Sequence, residues 1–542
     1  MVLIGAFLRF FTTSQLWLDE ALTVNISHLP LSGIEAALRR DGSPPLYYVM
    51  LHYWMDLFGT GNEAVRTLAG IFGLGTLWLS WLLAKRLFGR RAGLITLVLL
   101  AVSPFEVFYS TEARMYTLVT FEVAALGLLL LNAMRPRRAE GSRATRPSFW
   151  VLAGIALSTC ALLYTHYWAL YILAATGAWL LWRAIKGPSA LRARWSAGAM
   201  LLGSLGFIPW LPIFIFQAQH TGTPWALPVS PVLIGHDVGM ILGGTSLAGR
   251  ISDGVLGLFF LAAVLGGWLA RRNDVVINTS LAGSQSLLAT SCQDEEPCLH
   301  PALTMAALDV FALLLASLGA LVSSSAVASR YCSILVVPTF VLCGAGAAAL
   351  PSLSRALASR LSRVHGPLVH RTIPKKTLSQ ATAALVVVAS VAGLGASVPN
   401  TWTNRTEAGR VAHVILTQGH PGDVVAYCPD QLGPATARLL PKGEFRQLTF
   451  PRRISPYFVD WVNYAKVNES AKFLPFVQYL ERLAGRHSIW LVWAPGYLTY
   501  GLKCQQIAFT LMSLHDYKGS EPVPLEPRRY MEPMELMHYV PR

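Results

Sequence analysis

Apolar stretches of about twenty residues recur along the first four hundred positions, separated by short polar connections. Windows near 1–17, 64–84, 92–108, 116–134, 149–165, 167–184, 197–216, 251–270, 304–322, 331–350 and 381–397 approach or reach the length needed to cross ~30 Å of hydrocarbon at ~1.5 Å per residue. The pattern predicts a polytopic α-helical membrane protein with about eleven transmembrane helices. The first window is short and carries Arg9 and Gln15. No basic segment followed by a small-residue cleavage site marks a signal peptide, so a start encoded further upstream is the expectation.

Two long connections have patterns of their own. Residues 18–63 carry helical spacing over Ile26–Leu38, and Pro44-Pro45 opens a second apolar run at Leu46. Proline fits a first helical turn, so two surface-lying helices joined at Asp41-Gly-Ser are predicted. Residues 217–250 are polar, with Gly, Pro and Trp, and read as an external loop able to act as a lid. The stretch 273–303, with Cys292 and Cys298 flanking Asp294–Glu296, reads as an internal connection.

Beyond residue 397 the apolar runs shorten and charges intersperse. Val424–Cys428 and Ile489–Trp493 read as buried strands, with helices near 405–418, 432–440, 471–485 and 501–515. The chain therefore divides into a membrane domain, 1–397, whose first outer loop is 18–63, and a small extracytoplasmic α/β domain, 398–542. Cys428 and Cys504 both fall in that second domain and are candidates to pair.

Composition fits this reading. Hydrophobic residues make up 53% of the chain and charged ones 13%, too apolar a balance for a soluble domain. The net charge of +15 is concentrated in alternate connections: Lys85, Arg86, Arg90 and Arg91; Arg135, Arg137, Arg138, Arg143 and Arg146; Arg183, Lys186, Arg192 and Arg194; Arg271 and Arg272; and Arg355 to Lys376. Basic loops face the cytoplasm, so the charge reports topology and not nucleic-acid binding. Eleven crossings with the N-terminus inside put the C-terminal domain outside, in the plasma membrane of a bacterium. Asn25-Ile-Ser, Asn404-Arg-Thr and Asn468-Glu-Ser are outer-face glycosylation sequons under this topology.

The same topology places the chemically active residues on one face. Asp19-Glu20 stands where the first apolar window ends; Asp41, Glu112, Arg114, Tyr116, His166, Arg330 and Tyr331 stand at other span ends, and Arg66 opens the second window. Ionisable groups at a membrane boundary are costly to desolvate and mark function by default. Each also has a structural reading: Asp19 as a helix cap, Arg66 and Arg330 as snorkelling anchors, Glu112 and Arg114 as a local ion pair, His166 as an interface histidine, and Asp41 as a turn former.

In order along residues 10–350, the chain carries Trp17-Leu-Asp-Glu-Ala-Leu, Asp41-Gly-Ser-Pro-Pro-Leu-Tyr-Tyr, Phe58-Gly with Glu63 and Arg66, and Tyr109-Ser-Thr-Glu-Ala-Arg-Met-Tyr. Tyr164-Thr-His-Tyr, Pro209-Trp-Leu-Pro with Gln217, and Ser329-Arg-Tyr follow. This series resembles the GT-C membrane glycosyltransferases, in the branch of the protein O-mannosyltransferases and the lipid A aminoarabinose transferase. The C-terminal domain departs from that branch. The resemblance implies an inverting transfer of one sugar from a polyprenyl-phosphate carrier to a hydroxyl of a glycan, lipid or protein acceptor. It makes Asp19 the catalytic base. Arg66, Arg114, Arg330 and Tyr331 are then candidates for the donor phosphate, with Glu20, Asp41, Glu112, Tyr116 and His166 supporting them or binding acceptor. No metal site is expected and no cofactor is required, although a divalent metal is compatible with this chemistry. Two alternatives stay open from the residues alone: a lipid or polysaccharide transporter, and a non-catalytic membrane scaffold.

Overall fold

A computed structural model describes the chain apart from residues 136–145, 186–188, 224–225, 227, 272–299, 323–326 and 366–373. The cysteines and acidic residues expected at 292–298, and several basic loop residues, lie outside the described residues.

The first helix is α1 (Val2–Leu8), seven residues long. Arg9 ends it by turning inward. Its fully buried guanidinium donates to the carbonyls of Gly5 (2.8 Å), Ala101 (2.6 Å) and Leu100 (2.9 Å). The polar run Thr12–Gln15 continues without regular structure, so residues 1–17 form a helix of about two turns and an arm in place of one continuous helix.

The first long connection holds three helices where two were expected: α2 (Leu18–Ser27), α3 (Leu31–Asp41) and α4 (Leu46–Phe58). The joint at Asp41-Gly-Ser is where the sequence places it. Gly42 adopts φ +94° and closes α3 through its N–H to the Leu38 carbonyl, 2.9 Å away, the left-handed ending that glycine accommodates without strain.

The bundle follows as α5 (Asn62–Phe88), α6 (Arg90–Ala101), α7 (Pro104–Ser110), α8 (Tyr116–Met134), α9 (Phe149–Thr165), α10 (Ala169–Ile185), α11 (Ala190–Leu205), α12 (Leu211–His220), α13 (Pro231–Leu242), α14 (Leu247–Arg271), α15 (Pro301–Val322), α16 (Ser333–His365) and α17 (Lys375–Ser397). Ser103 caps α7 through the Glu106 N–H, with Pro104 in the first turn, and α6 and α7 meet at 57°. Among the described residues seven helical stretches are long and apolar enough to cross a membrane, or eight if α6 and α7 form one bent span. Helices α9 and α10 have 17 residues each, so the expected count of eleven is not reached by length and composition. Within 217–250, where a polar loop was expected, α13 is an apolar helix packed against the Ser329–Cys332 turn and α7.

Small residues let these helices approach closely. A Cβ placed on Gly346 of α16 would lie 1.7 Å from the Phe259 carbonyl oxygen of α14. Hydroxyls tie neighbours together, as in Thr76–Thr120 (3.0 Å) and Thr165 donating to Glu122 (3.0 Å). At one end of the bundle the basic connections gather. Arg86 donates to Asn132 (2.9 Å), and Arg135, Arg146 and Arg192 line one small cavity beside it. The acidic and arginine set described below occupies helix ends and loops elsewhere, joined to the C-terminal domain.

That domain adds α18 (Ala408–Gln418), β1 (Val424–Cys428), α19 (Gly433–Ala437), β2 (Arg446–Thr449), α20 (Tyr464–Ser470), α21 (Leu474–Ala484), β3 (Ile489–Trp493), α22 (Lys503–Ser513), β4 (Tyr517–Val523) and β5 (Glu535–Pro541). The sheet order is β2-β1-β3-β5-β4. Strands β2, β1 and β3 run parallel, with Val424 opposite both Arg446 and Ile489, and β5 is antiparallel to β3 and β4. Every residue of β1 and β3 is buried, as central parallel strands require. Cys428 and Cys504 form a disulfide. The domain is fastened to the first loop: Arg40 pairs with Asp460 (3.4 Å), Asn25 donates to the Tyr457 carbonyl (2.9 Å), and Arg438 donates to the Thr60 carbonyl (2.5 Å). Asn25 is thus held by the domain, and Asn468 is buried against Thr499, which leaves neither sequon as an open glycosylation site.

Candidate active site

Three separate pieces of chain converge where α2 begins. The α2 N-cap is Trp17 and Asp19 lies in the first turn, so Asp19 is not the cap its position suggested. Its carboxylate faces Arg330 of the Ser329–Cys332 turn at 3.4 Å, and both side chains keep access to solvent, at 16% and 21%. Glu20 points the other way, into the protein, and is fully buried.

Glu20 is the anchor of this region. Arg66 grips it with two parallel hydrogen bonds, Nε to Oε1 at 2.7 Å and Nη2 to Oε2 at 2.6 Å. The Ala113 N–H donates to the same carboxylate at 3.0 Å, and Arg405 lies 3.6 Å away. Burial alone would raise the Glu20 carboxyl, but the two arginines hold it below its ordinary range. Arg66 also donates to the Ser14 and Gln15 carbonyls at 2.7 and 3.1 Å. Its guanidinium is therefore committed to protein partners in this structure. Removing either member of such a buried pair typically costs about 3–5 kcal/mol.

Arg114 stands at the end of the α7–α8 loop and keeps partial exposure. It donates to the Thr23 hydroxyl of α2 (2.9 Å) and to the Tyr48 hydroxyl of α4 (3.1 Å). Tyr48 in turn donates to Asp41 (3.1 Å), whose carboxyl is shifted upward by burial despite Arg114. Arg114 and Arg330 also approach the rings of Tyr116 and Tyr331, at 5.9 and 5.5 Å.

An aromatic wall joins the two arginines. Tyr109 contacts Tyr116, which contacts His166; His166 contacts Tyr331, and Tyr331 contacts Trp168, with ring centroids 4.9 to 5.9 Å apart. His166 is pushed down to about 3 by burial and by Arg114 and Arg330. The ring is neutral at physiological pH, and because Nδ1 accepts the Trp168 N–H (3.1 Å), its proton belongs on Nε2. Behind the wall, Tyr167 donates to Gln217 and accepts from Trp210, while Gln217 donates to the Leu38 carbonyl beside the Asp41 turn.

Glu112 completes the group. It is fully buried, its carboxylate makes no hydrogen bond to any described residue, and its one hydrogen bond with Arg114 is through the backbone, where its carbonyl accepts the Arg114 N–H at 2.7 Å. Burial pushes it up to about 7, opposed by Arg405 and reinforced by Glu20 and Asp19. Among the described residues no three His, Cys, Asp or Glu side chains are grouped to hold a metal ion.

The structure thus brings together Asp19, Glu20, Asp41, Arg66, Glu112, Arg114, Tyr116, His166, Arg330 and Tyr331. Arg405 and Glu532 join them from the C-terminal chain without having been foreseen. Arg405 is fully enclosed, and Glu532 is buried close to Asp19 and Glu20, which help burial push it up to about 8. Arg405 lies within the Asn404-Arg-Thr sequon, which says nothing of this role, and only the fold carries the two residues here.

Residues 42–213 match the model of the dolichyl-phosphate-mannose-protein mannosyltransferase family. No curated protein sequence matches the chain. Among solved structures it is similar to ArnT from Cupriavidus metallidurans bound to undecaprenyl phosphate, with 13% identity, 99% of this chain and 96% of that chain covered, and a TM-score of 0.50. The apo state of the same protein gives 14% identity, the same coverage and a TM-score of 0.54. The archaeal oligosaccharyltransferase AglB from Archaeoglobus fulgidus, in complex with an inhibitory peptide and a dolichol-phosphate, gives 10% identity, coverage of 96% and 72%, and a TM-score of 0.50. At these identities the likeness is one of fold. The chain has the GT-C architecture and resembles the mannosyltransferase and ArnT-like branch, as its ordered motifs imply.

Proposed function

We propose that this protein is an inverting glycosyltransferase that moves one sugar from a polyprenyl-phosphate carrier to an acceptor hydroxyl at the outer face of a bacterial plasma membrane. The observation that carries the reading is Asp19, a partly exposed carboxylate paired with Arg330 beside Arg114, in a chain with the GT-C fold. The solved relatives that hold undecaprenyl phosphate and dolichol-phosphate support the donor class.

The chemistry divides between two charges. Asp19 takes the proton of the acceptor hydroxyl as its oxygen attacks the anomeric carbon, a contribution of roughly 10²–10⁴ in rate. The bond from that carbon to the phosphate oxygen breaks, and the electron pair leaves with the lipid phosphate. Arg114 and Arg330 neutralise the growing charge through their planar forks. A lipid phosphate competes with Asp19 for Arg330, so donor binding releases the carboxylate to act as base. Tyr116, His166 and Tyr331 wall the sugar, and the acceptor hydroxyl reaches Asp19 from its solvent-accessible side.

Two measurements test this. Native mass spectrometry of gently purified protein should show a bound polyprenyl phosphate or its glycosyl form, lost in an Arg114→Ala/Arg330→Ala variant. Asp19→Asn should keep that lipid and the wild-type melting temperature while transfer falls at least a hundredfold. Full transfer by Asp19→Asn would overturn the mechanism; bulk phospholipid alone in every sample would overturn the donor assignment.

A further inference from the structure

Arg405 follows the last membrane helix by eight residues and is the largest charged group brought to this region by the C-terminal chain. Both terminal nitrogens of its guanidinium meet the protein, while the buried Nε has no hydrogen-bond partner among the described residues. Nη1 donates to the Thr111 carbonyl at 3.0 Å. Nη2 donates to the Thr111 hydroxyl (2.7 Å), the Asn400 side-chain carbonyl (3.0 Å) and the Phe108 carbonyl (3.3 Å). The same group lies 3.6 Å from the Glu20 carboxylate and over the Phe108 ring at 4.1 Å.

These contacts fall on both sides of the site. Thr111 and Phe108 belong to the loop and helix leading to Arg114. Glu20 belongs to the helix that carries Asp19, and its carboxylate receives the Ala113 N–H from that loop. The loop before Arg114 is therefore held at Thr111 by Arg405 and at Ala113 by a carboxylate fixed between Arg66 and Arg405. The Arg405 backbone is itself clamped. Its N–H donates to the Ser14 hydroxyl (2.9 Å), and its carbonyl accepts from the Glu532 N–H (2.9 Å). Asn400 adds a bond to the Thr111 hydroxyl (2.8 Å), and Thr13 donates through its N–H to the Thr401 carbonyl (3.0 Å).

We infer that Arg405 is a positioning residue for the lipid-phosphate site: it sets Arg114 against Asp19 without touching the substrate. The inference rests on the donor reading above and extends it, since it makes the chain beyond the bundle part of the site and not a cover over it. The physical argument is one of preorganisation. A loop pinned at two nearby positions presents a guanidinium in one place, whereas a loop held at one position must be ordered by the ligand, which weakens binding.

The test is a double-mutant cycle read by binding of undecaprenyl phosphate to the full-length protein in nanodiscs, beside melting temperature. Arg405→Gln is expected to weaken binding about tenfold, and less than twofold in an Arg114→Ala background, because the route through Arg114 is already gone. Arg405→Lys, which keeps the charge and loses the fork, should lie between. If Arg405→Gln does not fold, Thr111→Val removes one contact of the same network, and a smaller loss that vanishes with Arg114→Ala is expected. Unchanged binding in these variants, or the same fold loss in both backgrounds, would overturn the inference and leave the donor reading standing. Wild-type protein that does not bind undecaprenyl phosphate would overturn both.

Discussion

A carboxylate that is fully buried and has no hydrogen-bond partner among the described residues burdens the folded state, and Glu112 is one. Its carboxyl sits at about 7 in the folded chain against about 4.3 in an unfolded one. The folded state binds that proton more tightly, so its contribution is complete below about pH 4 and is lost as pH rises through about 7. Glu112→Gln should therefore melt at a higher temperature than wild type at pH 8, with the gap closing at pH 4.5. Detergent-solubilised thermal unfolding at the two values checks it; an equal difference at both would show that the charge is not the cause. Stability gained by removing a group is the mark of a site kept for function. The residue scale also shows what a sequence conveys. Asp19, Arg114 and Arg330 stand in motifs at span ends and were legible there. Arg66 was legible as important, but that it pairs with Glu20, 46 positions away, was not. Arg405 had no local signal, because its meaning lies in contacts with Thr111 and Glu20, nearly three hundred positions or more away.

At the scale of elements, the turn between α3 and α4 places Asp41 and Tyr48 together. Gly42 holds a φ that an L side chain adopts at about 1–2 kcal/mol, and a Cβ there would meet the Thr221 hydroxyl oxygen at 2.8 Å. Gly42→Ala should lower stability by about 1–2 kcal/mol from the backbone alone, with a further loss from that contact. Adding Thr221→Ala should restore the second part and not the first, measured as melting temperatures of the single and double variants. A complete restoration would mean that the left-handed turn carries no penalty. This turn was readable because Asp-Gly-Ser-Pro-Pro punctuates two apolar runs. Strands β1 and β3 were readable for a related reason: five continuous apolar or aromatic residues suit burial on both faces. Strands β2, β4 and β5 were not, since Arg446, Lys518 and Glu521 interrupt them, and edge or antiparallel strands need only one buried face. In segment 1–17 the sequence marked Arg9 and Gln15 as out of place in a span, but that Arg9 closes the helix through three carbonyls depends on Leu100 and Ala101, far along the chain.

At the scale of the molecule, two ends of the bundle differ in chemistry. Arg86, Arg135, Arg146 and Arg192 collect around Asn132, whereas Asp19, Glu20, Glu112 and the C-terminal domain share the site. A charge distribution of this kind fixes orientation through the basic side, so the basic end is expected in the cytoplasm and the domain outside. Two exposed positions make the test decisive: Arg91, at the start of α6, and Lys472, before α21. With Cys160, Cys292, Cys298, Cys332 and Cys343 replaced by serine, Lys472→Cys should react with a membrane-impermeant maleimide in intact spheroplasts. Arg91→Cys should react only after the membrane is opened. The reverse pattern would place Asp19 on the cytoplasmic side, where it would meet lipid-linked sugars before export. The acceptor would then have to be cytoplasmic as well. Labelling of both positions would mean that the two ends do not face opposite compartments. The disulfide between Cys428 and Cys504 argues for the first outcome, because such bonds persist in the oxidising space outside the membrane.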